Sequence, residues 1–413
     1  MHTKLMSDTK LNQHNEQLRY QIKKKGAKGL AHNRVVEKQD AIYFDQGDGE
    51  IVTVNSESAR ITSKAPARFI QNQGKANIKP DFENGNLEVL KKYLPDNEYS
   101  IYLILVFLFK CMMTKTHYLA LILVGPAGSG KSFLQKVLKT IIDPSPVMLR
   151  NQINKVEDLV LAALHCHLLD FNNVSTLSSS MQDALCTMLT GGCATSRTKY
   201  TNKEESVIHT HNPFIMNGIG NFINRDDLYE RCLIIVLDKI YGSKKQVIPE
   251  SELWSCFNRD LPIIMGGVFN ALSDILRESK SFKSPTNLTR MADFHRLGLI
   301  VEKALGWPKG SFESAYFENI SIAQDDVLTD SEVAQILIKM KHRGKCQFTG
   351  TFSDLKAILQ RHGLPKNFSP KALSAELDRL SGSLLNLHQI KITKLSRSSA
   401  GSRVRITAVK SSD

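Results

Sequence analysis

An α/β fold built on a mainly parallel sheet is predicted by three features of the 413-residue sequence. A buried strand runs into a glycine-rich turn and then a helix at residues 119–142. Short apolar runs alternate with helically spaced segments from there to residue 237, the order that lays parallel strands beside one another. Residues 325–413 carry three helical patterns followed by a hairpin, the order of a winged-helix domain.

The first feature is the most specific. The apolar run Leu119–Val124 stops at Gly125-Pro126-Ala127-Gly128-Ser129-Gly130-Lys131-Ser132, which fits G-x-x-x-x-G-K-[ST] without a mismatch. Small residues let backbone N–H groups curl around phosphate oxygens, Lys131 reaches the outer phosphates and the Ser132 hydroxyl can ligate Mg²⁺. Residues 132–142 have helical spacing and end before Pro144, so the helix start faces the phosphates. A P-loop NTPase core that binds ATP with Mg²⁺ is therefore expected.

The formal charge is +13. That balance favours a polyanionic partner, nucleic acid ahead of a membrane surface. The seven cysteines form no C-x-x-C pair and sit in apolar surroundings, as buried thiols of a cytoplasmic protein do. His165-Cys166-His167 is no metal site if it lies on a strand, because adjacent side chains there point to opposite faces. The apolar run Ile101–Phe109 is too short to span a bilayer and reads as a core helix beside the sheet; no secretory signal opens the chain.

In chain order, residues 1–39 are polar and basic (Lys23, Lys24, Lys25, Lys28, Arg34) and read as a flexible segment or nucleic-acid arm. Residues 40–80 form a small β-rich module, two runs (Ile42–Phe44 and Ile51–Val54) around Gly47-Asp48-Gly49. The ATPase core is placed at 81–240, with further strands at His167–Phe171, Pro213–Asn217 and Arg231–Leu237. Helical patterns at 253–276 and 291–305 place a helical lid at 241–324. In the last unit, 325–413, Ser369 caps the third helix with Pro370 at its first position. Its hairpin carries Lys391, Lys394, Arg397, Arg403 and Arg405, alternating with apolar residues and left free for phosphate.

Hydrolysis needs a metal-holding acid, a water-orienting group and a cation for the developing charge. Asp170 ends an apolar run and is the candidate acid. Asn217 ends the next strand and can orient water. Arg225 and Arg231 lie just beyond, placed to reach a nucleotide in a neighbouring subunit.

With those residues in order, the sequence resembles a family of phage and integrative-element ATPases, the superfamily-three and primase-associated replicative helicases of AAA+ type. The resemblance runs from about residue 40 to 408. It is carried by Gly125–Ser132, Asp183–Gly192, Asn212–Gly218, Arg225–Leu233, Arg290–Phe294 and Leu305-Gly306-Trp307. It implies that Asn217 is the sensor and Arg231 the arginine finger, ahead of Arg225. It also implies a homo-oligomeric ring, a hexamer, threaded on DNA. Residues 195–203 fall where such enzymes carry a DNA-tracking hairpin, which makes Arg197, Lys199 and Lys203 pore candidates; a solvated loop is the plain alternative. The second motif departs from the family pattern: alignment through Asp183 sets Asn172 where an aspartate is expected, and Asp170, two residues earlier on the same strand face, is its substitute. No glutamate follows Asp170 in the usual place for a base.

The expected function is an ATP-dependent DNA helicase or translocase for mobile-element replication. The rivals are an ATP-binding loader that hydrolyses weakly or not at all, a winged-helix regulator, and a defence or signalling ATPase. Residues 1–80 are too few for a primase domain, so where priming is needed another chain, a separate primase or replication protein, is the expected partner.

Overall fold

Strand formation begins earlier than the apolar pattern indicates. The computed structural model describes residues 31–409 apart from 48, 71–77, 146, 198–204, 221, 224, 239–247, 330 and 399–400. The expected N-terminal arm with Lys23–Lys25 and Lys28 lies outside those residues. From Val35 onward the chain forms a four-stranded antiparallel sheet of β1 (Val35–Lys38), β2 (Ala41–Asp45), β3 (Ile51–Val54) and β4 (Ala59–Thr62), paired in sequence order. The expected hairpin is its middle pair. Arg34, read as part of a solvated basic segment, is instead fully buried: its guanidinium pairs with Asp143 at 3.3 Å and donates to the carbonyls of Asp45 and Pro144. The basic segment therefore does not extend to residue 39.

A 3₁₀ helix (Leu87–Tyr93) leads to α1 (Glu98–Cys111), capped by the Asn97 side chain on Ser100 N–H. Every residue of α1 from Ile101 to Cys111 is buried, Lys110 included. That lysine donates to the carbonyls of Met113 (2.8 Å) and Thr116 (2.9 Å), and burial pushes its pKa down to about 8. No described helix is long and apolar enough to cross a membrane.

The central sheet is parallel throughout. Its strands are β5 (Ala120–Val124), β6 (Arg150–Asn151), β7 (Leu169–Val174), β10 (Phe214–Gly218) and β11 (Cys232–Val236), in the order β11-β5-β10-β7-β6. Crossovers run through α2 (Lys131–Ile142), α3 (Val156–His165), α4 (Ser179–Thr190) and the short α5 (Asp226–Tyr229). Between α4 and β10 stands an antiparallel hairpin, β8 (Gly192–Arg197) with β9 (Glu205–Thr210). Leu121 and Leu123 pack with α1 and α2, whereas Ala120 and Ile122 face the opposite layer. Alternate residues of one strand thus feed two cores, as a sheet covered on both faces requires.

Three long helices follow: α6 (Glu250–Ser281), α7 (Ala292–Ala304) and α8 (Ser311–Thr329). The last was not anticipated, because its apolar positions are spread around its circumference. Helix α6 runs through Pro262, and the carbonyls of Pro262 and Ile263 accept from the N–H groups of Asp81 and Asn86. Gly266 permits this contact, since a Cβ there would fall 1.8 Å from the Asp81 carbonyl oxygen. The C-terminal unit runs α9 (Glu332–His342), β12 (Gln347–Thr351), α10 (Phe352–Arg361), α11 (Pro370–His388), β13 (Ile390–Ser398) and β14 (Gly401–Ala408). Its sheet, in the order β12-β14-β13, adds a strand to the expected hairpin.

Candidate functional site

The glycine-rich loop joins the end of β5 to α2. Gly128 and Gly130 have φ of 77° and 81°, a left-handed backbone that other residues rarely adopt. Gly130 is the N-cap of α2 and brings no side chain to the helix start, so its N–H groups are left to a ligand. Gly125 passes under the chain after β11, where a Cβ would meet the Leu237 carbonyl oxygen at 2.4 Å. Lys131 Nζ donates to the carbonyls of Gly125 (2.6 Å) and Pro126 (2.7 Å) and to Ser129 Oγ (3.3 Å). Burial lowers its pKa, so an anion that replaced these carbonyls would regain charge stabilisation for the ammonium.

Beside the loop lies a connected group of uncharged side chains. Ser132 Oγ donates to Asn172 Oδ1 at 2.9 Å. Asn217 Nδ2 donates to the same oxygen at 2.7 Å and to Gln135 Oε1 at 2.5 Å. Asn217 Oδ1 accepts from Asn173 N–H at 2.9 Å, and Gln135 Nε2 reaches the Phe171 carbonyl at 3.3 Å. The geometry depends on a local irregularity. Asn173 has φ +56°, and the β7–β10 register shifts between Met216 and Gly218, which turns the Asn173 N–H toward Asn217. Ser132 and Asn217 were anticipated from the sequence. Gln135 was not, although its place one helical turn after Lys131 puts it on the same face of α2.

Asp170 does not join this group, which corrects the expectation that it substitutes for the missing acid at Ser132. It is fully buried, 3.6 Å from Lys139 Nζ. Lys139 also pairs with Asp143 at 3.0 Å, and Asp143 takes the N–H groups of His167 (2.9 Å) and Leu168 (3.1 Å) besides Arg34. Burial would raise the Asp143 carboxyl, but Lys139 and Arg34 overcome it and hold it far below the usual carboxylate range. For Asp170 burial prevails over Lys139 and pushes the pKa up to about 7. Two residues along a strand share a face but lie about 7 Å apart, so Asn172 faces Ser132 while Asp170 faces the end of α2.

The two arginines are elsewhere. Arg231 precedes β11, whose first residue Cys232 pairs with Ala120, so it stands at the foot of the sheet whose head carries the loop. Its Nη1 donates to the Asp227 carboxylate at 2.5 Å and to the Asp227 carbonyl. Arg225 pairs with Asp183 at 2.6 Å on the surface. Arg197 ends β8 opposite Glu205, whereas Lys199 and Lys203 lie outside the described residues.

On the C-terminal sheet, Lys391, Arg403 and Arg405 share one face, through the pairs Lys391–Thr407, Thr393–Arg405 and Leu395–Arg403. Lys391 and Arg405 are exposed and Arg403 half-buried, and Arg397 is exposed near the strand end. Lys394 has the parity of Ile390 and Ile392, and its ammonium pairs with Asp378 of α11 at 2.5 Å. The expectation that all five charges stand free is corrected for Lys394.

Residues 94–323, which hold the whole central sheet, its loop and most of α6–α8, match the actinomycete integrative conjugative element replication proteins, AICE_RepA. The chain belongs to this family. No protein of curated function matches the sequence of this family member. Among solved structures it is similar to SCCmec type IV Cch, an active helicase, at a TM-score of 0.49 and 11% identity over 98% of this chain and 84% of that one. It is also similar to the apo C-terminal region of NrS-1, at a TM-score of 0.40 and 16% identity over 96% of this chain and 90% of that one.

Proposed function

We propose that this replication protein is an ATP-driven DNA translocase, a helicase of AAA+ type that works on its element as a homo-oligomeric ring, a hexamer. The observation that carries the reading is the Ser132–Asn172–Asn217 group, set beside a glycine-rich loop at the head of a parallel sheet. There the loop N–H groups and Lys131 would hold the phosphates of ATP. Ser132 would ligate Mg²⁺, with Asn172 beside it, and Asn217 would orient the attacking water. Five strand residues, about 16 Å, separate Arg231 from the loop of its own chain. It would therefore serve a neighbour's triphosphate, with Arg225 as the second cation. Helices α6–α8 would form the lid. The order α9-β12-α10-α11-β13-β14 is that of a winged helix, in which Lys391, Arg397, Arg403 and Arg405 would meet phosphate. Arg197, Lys199 and Lys203 would line the ring's pore. The cytoplasm is the proposed site of action.

The test is ATP turnover with and without single-stranded DNA. DNA-stimulated turnover that Lys131→Ala abolishes is expected; background turnover in both proteins removes the motor. Asn172 favours a second reading, an ATP-dependent loader with slow or absent hydrolysis, because an amide brings the metal no negative charge. In that case nucleotide would still drive assembly on DNA.

A further inference from the structure

Arg290 belongs to a motif of the sequence that the reading above leaves without a role. It lies in the turn before α7, yet its side chain reaches α5. Its Nη2 donates to Asp227 Oδ1 at 2.7 Å and its Nη1 pairs with Glu230. The oxygen it holds is the one that Arg231 Nη1 holds at 2.5 Å. Two guanidinium groups therefore share one carboxylate oxygen, and Arg290 grips two acidic side chains just before Arg231 in the chain, Asp227 and Glu230.

The grip is anchored. His295 is fully buried, and its Nδ1 accepts from the Thr289 N–H at 3.2 Å. Its other nitrogen must then carry the proton, which it donates to Glu313 Oε1 at 3.1 Å. The turn that presents Arg290 is thus tied to α8 through an imidazole. The element it holds needs a tether, since a four-residue helix is unstable on its own.

We propose that Arg290 is a positioning residue for Arg231: it keeps α5 in place and takes over Asp227 when Arg231 turns outward to a neighbouring subunit's triphosphate. This rests on the reading of Arg231 as a cation for a neighbour's nucleotide. Arg231 is 15% exposed and its Nε makes no hydrogen bond among the described residues, so its guanidinium has donors to spare. Arg290 is 55% exposed, on the outer side of the shared carboxylate. Were Arg231 the sole partner of Asp227, its departure would strand a partly desolvated charge. With Arg290 in place Asp227 stays neutralised, and the outward turn exchanges one cation contact for another. Burial would raise the Asp227 carboxyl, and Arg231 and then Arg290 outweigh it, leaving it below the usual range.

The experiment measures ATP turnover on DNA for the full chain and for Arg231→Ala, Arg290→Ala, Arg290→Lys and the double alanine variant. Sedimentation velocity with a non-hydrolysable ATP analogue runs beside it. Arg290→Ala should lower kcat about a hundredfold, the cost of a misplaced catalytic group, with KM for ATP little changed. The double variant should be no slower than Arg231→Ala, because the effect passes through Arg231. Arg290→Lys keeps a cation on Asp227 but loses the two-armed grip, so it should recover part of the rate. If turnover in the wild type is too slow to divide, the same ranking should appear in the analogue concentration needed for assembly. Normal kcat and assembly in a folded Arg290→Ala, or losses that multiply in the double variant, would overturn the role of Arg290 alone. Arg231→Ala without effect on turnover or assembly would overturn the reading beneath it as well.

Discussion

The head and the foot of the central sheet handle polar side chains in opposite ways. At the head, Ser132, Asn172, Asn217 and Gln135 meet without a single formal charge among them. At the foot, Arg34, Lys139, Asp143 and Asp170 are all buried; Asp143 pairs with both Arg34 and Lys139, and Asp170 lies 3.6 Å from Lys139. Strand β7 contributes to both, Asn172 above and Asp170 below. Acidity in a sequence motif is therefore no guide to where the acid acts. The carboxyl two residues before Asn172 is held by the end of α2, and an amide stands beside Ser132. Arg34 makes the lower cluster an anchor for the N-terminal strands too, because the same guanidinium touches Asp143, Asp45 and Pro144.

This contrast can be broken or sharpened experimentally. The largest effect is expected at the head. Lys131→Ala should reduce ATP turnover by at least about a hundredfold, as loss of a charge-stabilising donor does; an unaltered rate would separate the loop from catalysis.

At the foot, Lys139→Ala should lower the unfolding free energy of the core by about 3–5 kcal/mol, since it takes one of two cations from the buried Asp143 carboxylate. Urea denaturation measures this, and a loss within error would make the cluster incidental. Turnover should fall only as far as folding does.

Asn172→Asp places a carboxylate beside Ser132. Tighter Mg²⁺ dependence and a gain in turnover on the order of tenfold to a hundredfold are expected, and assay over a Mg²⁺ series reads both. No gain would mean that metal is held without this position.

The fourth test uses pH. Burial raises Asp170 from 3.8 to about 7. Between those values the unfolded chain has released the proton and the folded chain has not, so this residue costs stability progressively as pH rises from about 4 to about 7. Asp143 has the opposite sign: its depressed pKa supplies stability above about pH 4 that is lost on acidification. Asp170→Asn should therefore gain on the wild type from pH 4 to 7 and hold a constant lead above 7, in thermal melts. A pH-independent difference would contradict the assignment.

The smallest effect concerns the same division between free and committed charge on the C-terminal sheet. Arg405→Ala should weaken DNA binding at all sequences and lower the salt dependence by about one counterion. Lys394→Ala, already paired with Asp378, should change it less.

Much of this protein is readable from local pattern. The P-loop passage, the strand at Pro213–Asn217, the buried helix after Tyr99 and the Ser369-Pro370 helix start are specified by nearest neighbours in the chain, through spacing, caps and turn residues. That Lys394 lies on the sheet face that meets α11 was also present in its parity with Ile390 and Ile392. The destinations of charged groups were not. Arg34 looks like one more residue of a basic segment until Asp143, 109 positions away, closes on it. Asp170 looks like a metal ligand until the end of α2 brings Lys139 against it. Helix α8 was hidden because its apolar residues meet several partners at once rather than one face. Periodicity reports which side of an element is buried. Only the packed tertiary structure decides which opposite charge waits there, since electrostatic partners are chosen by distance in space and carry no period along the chain.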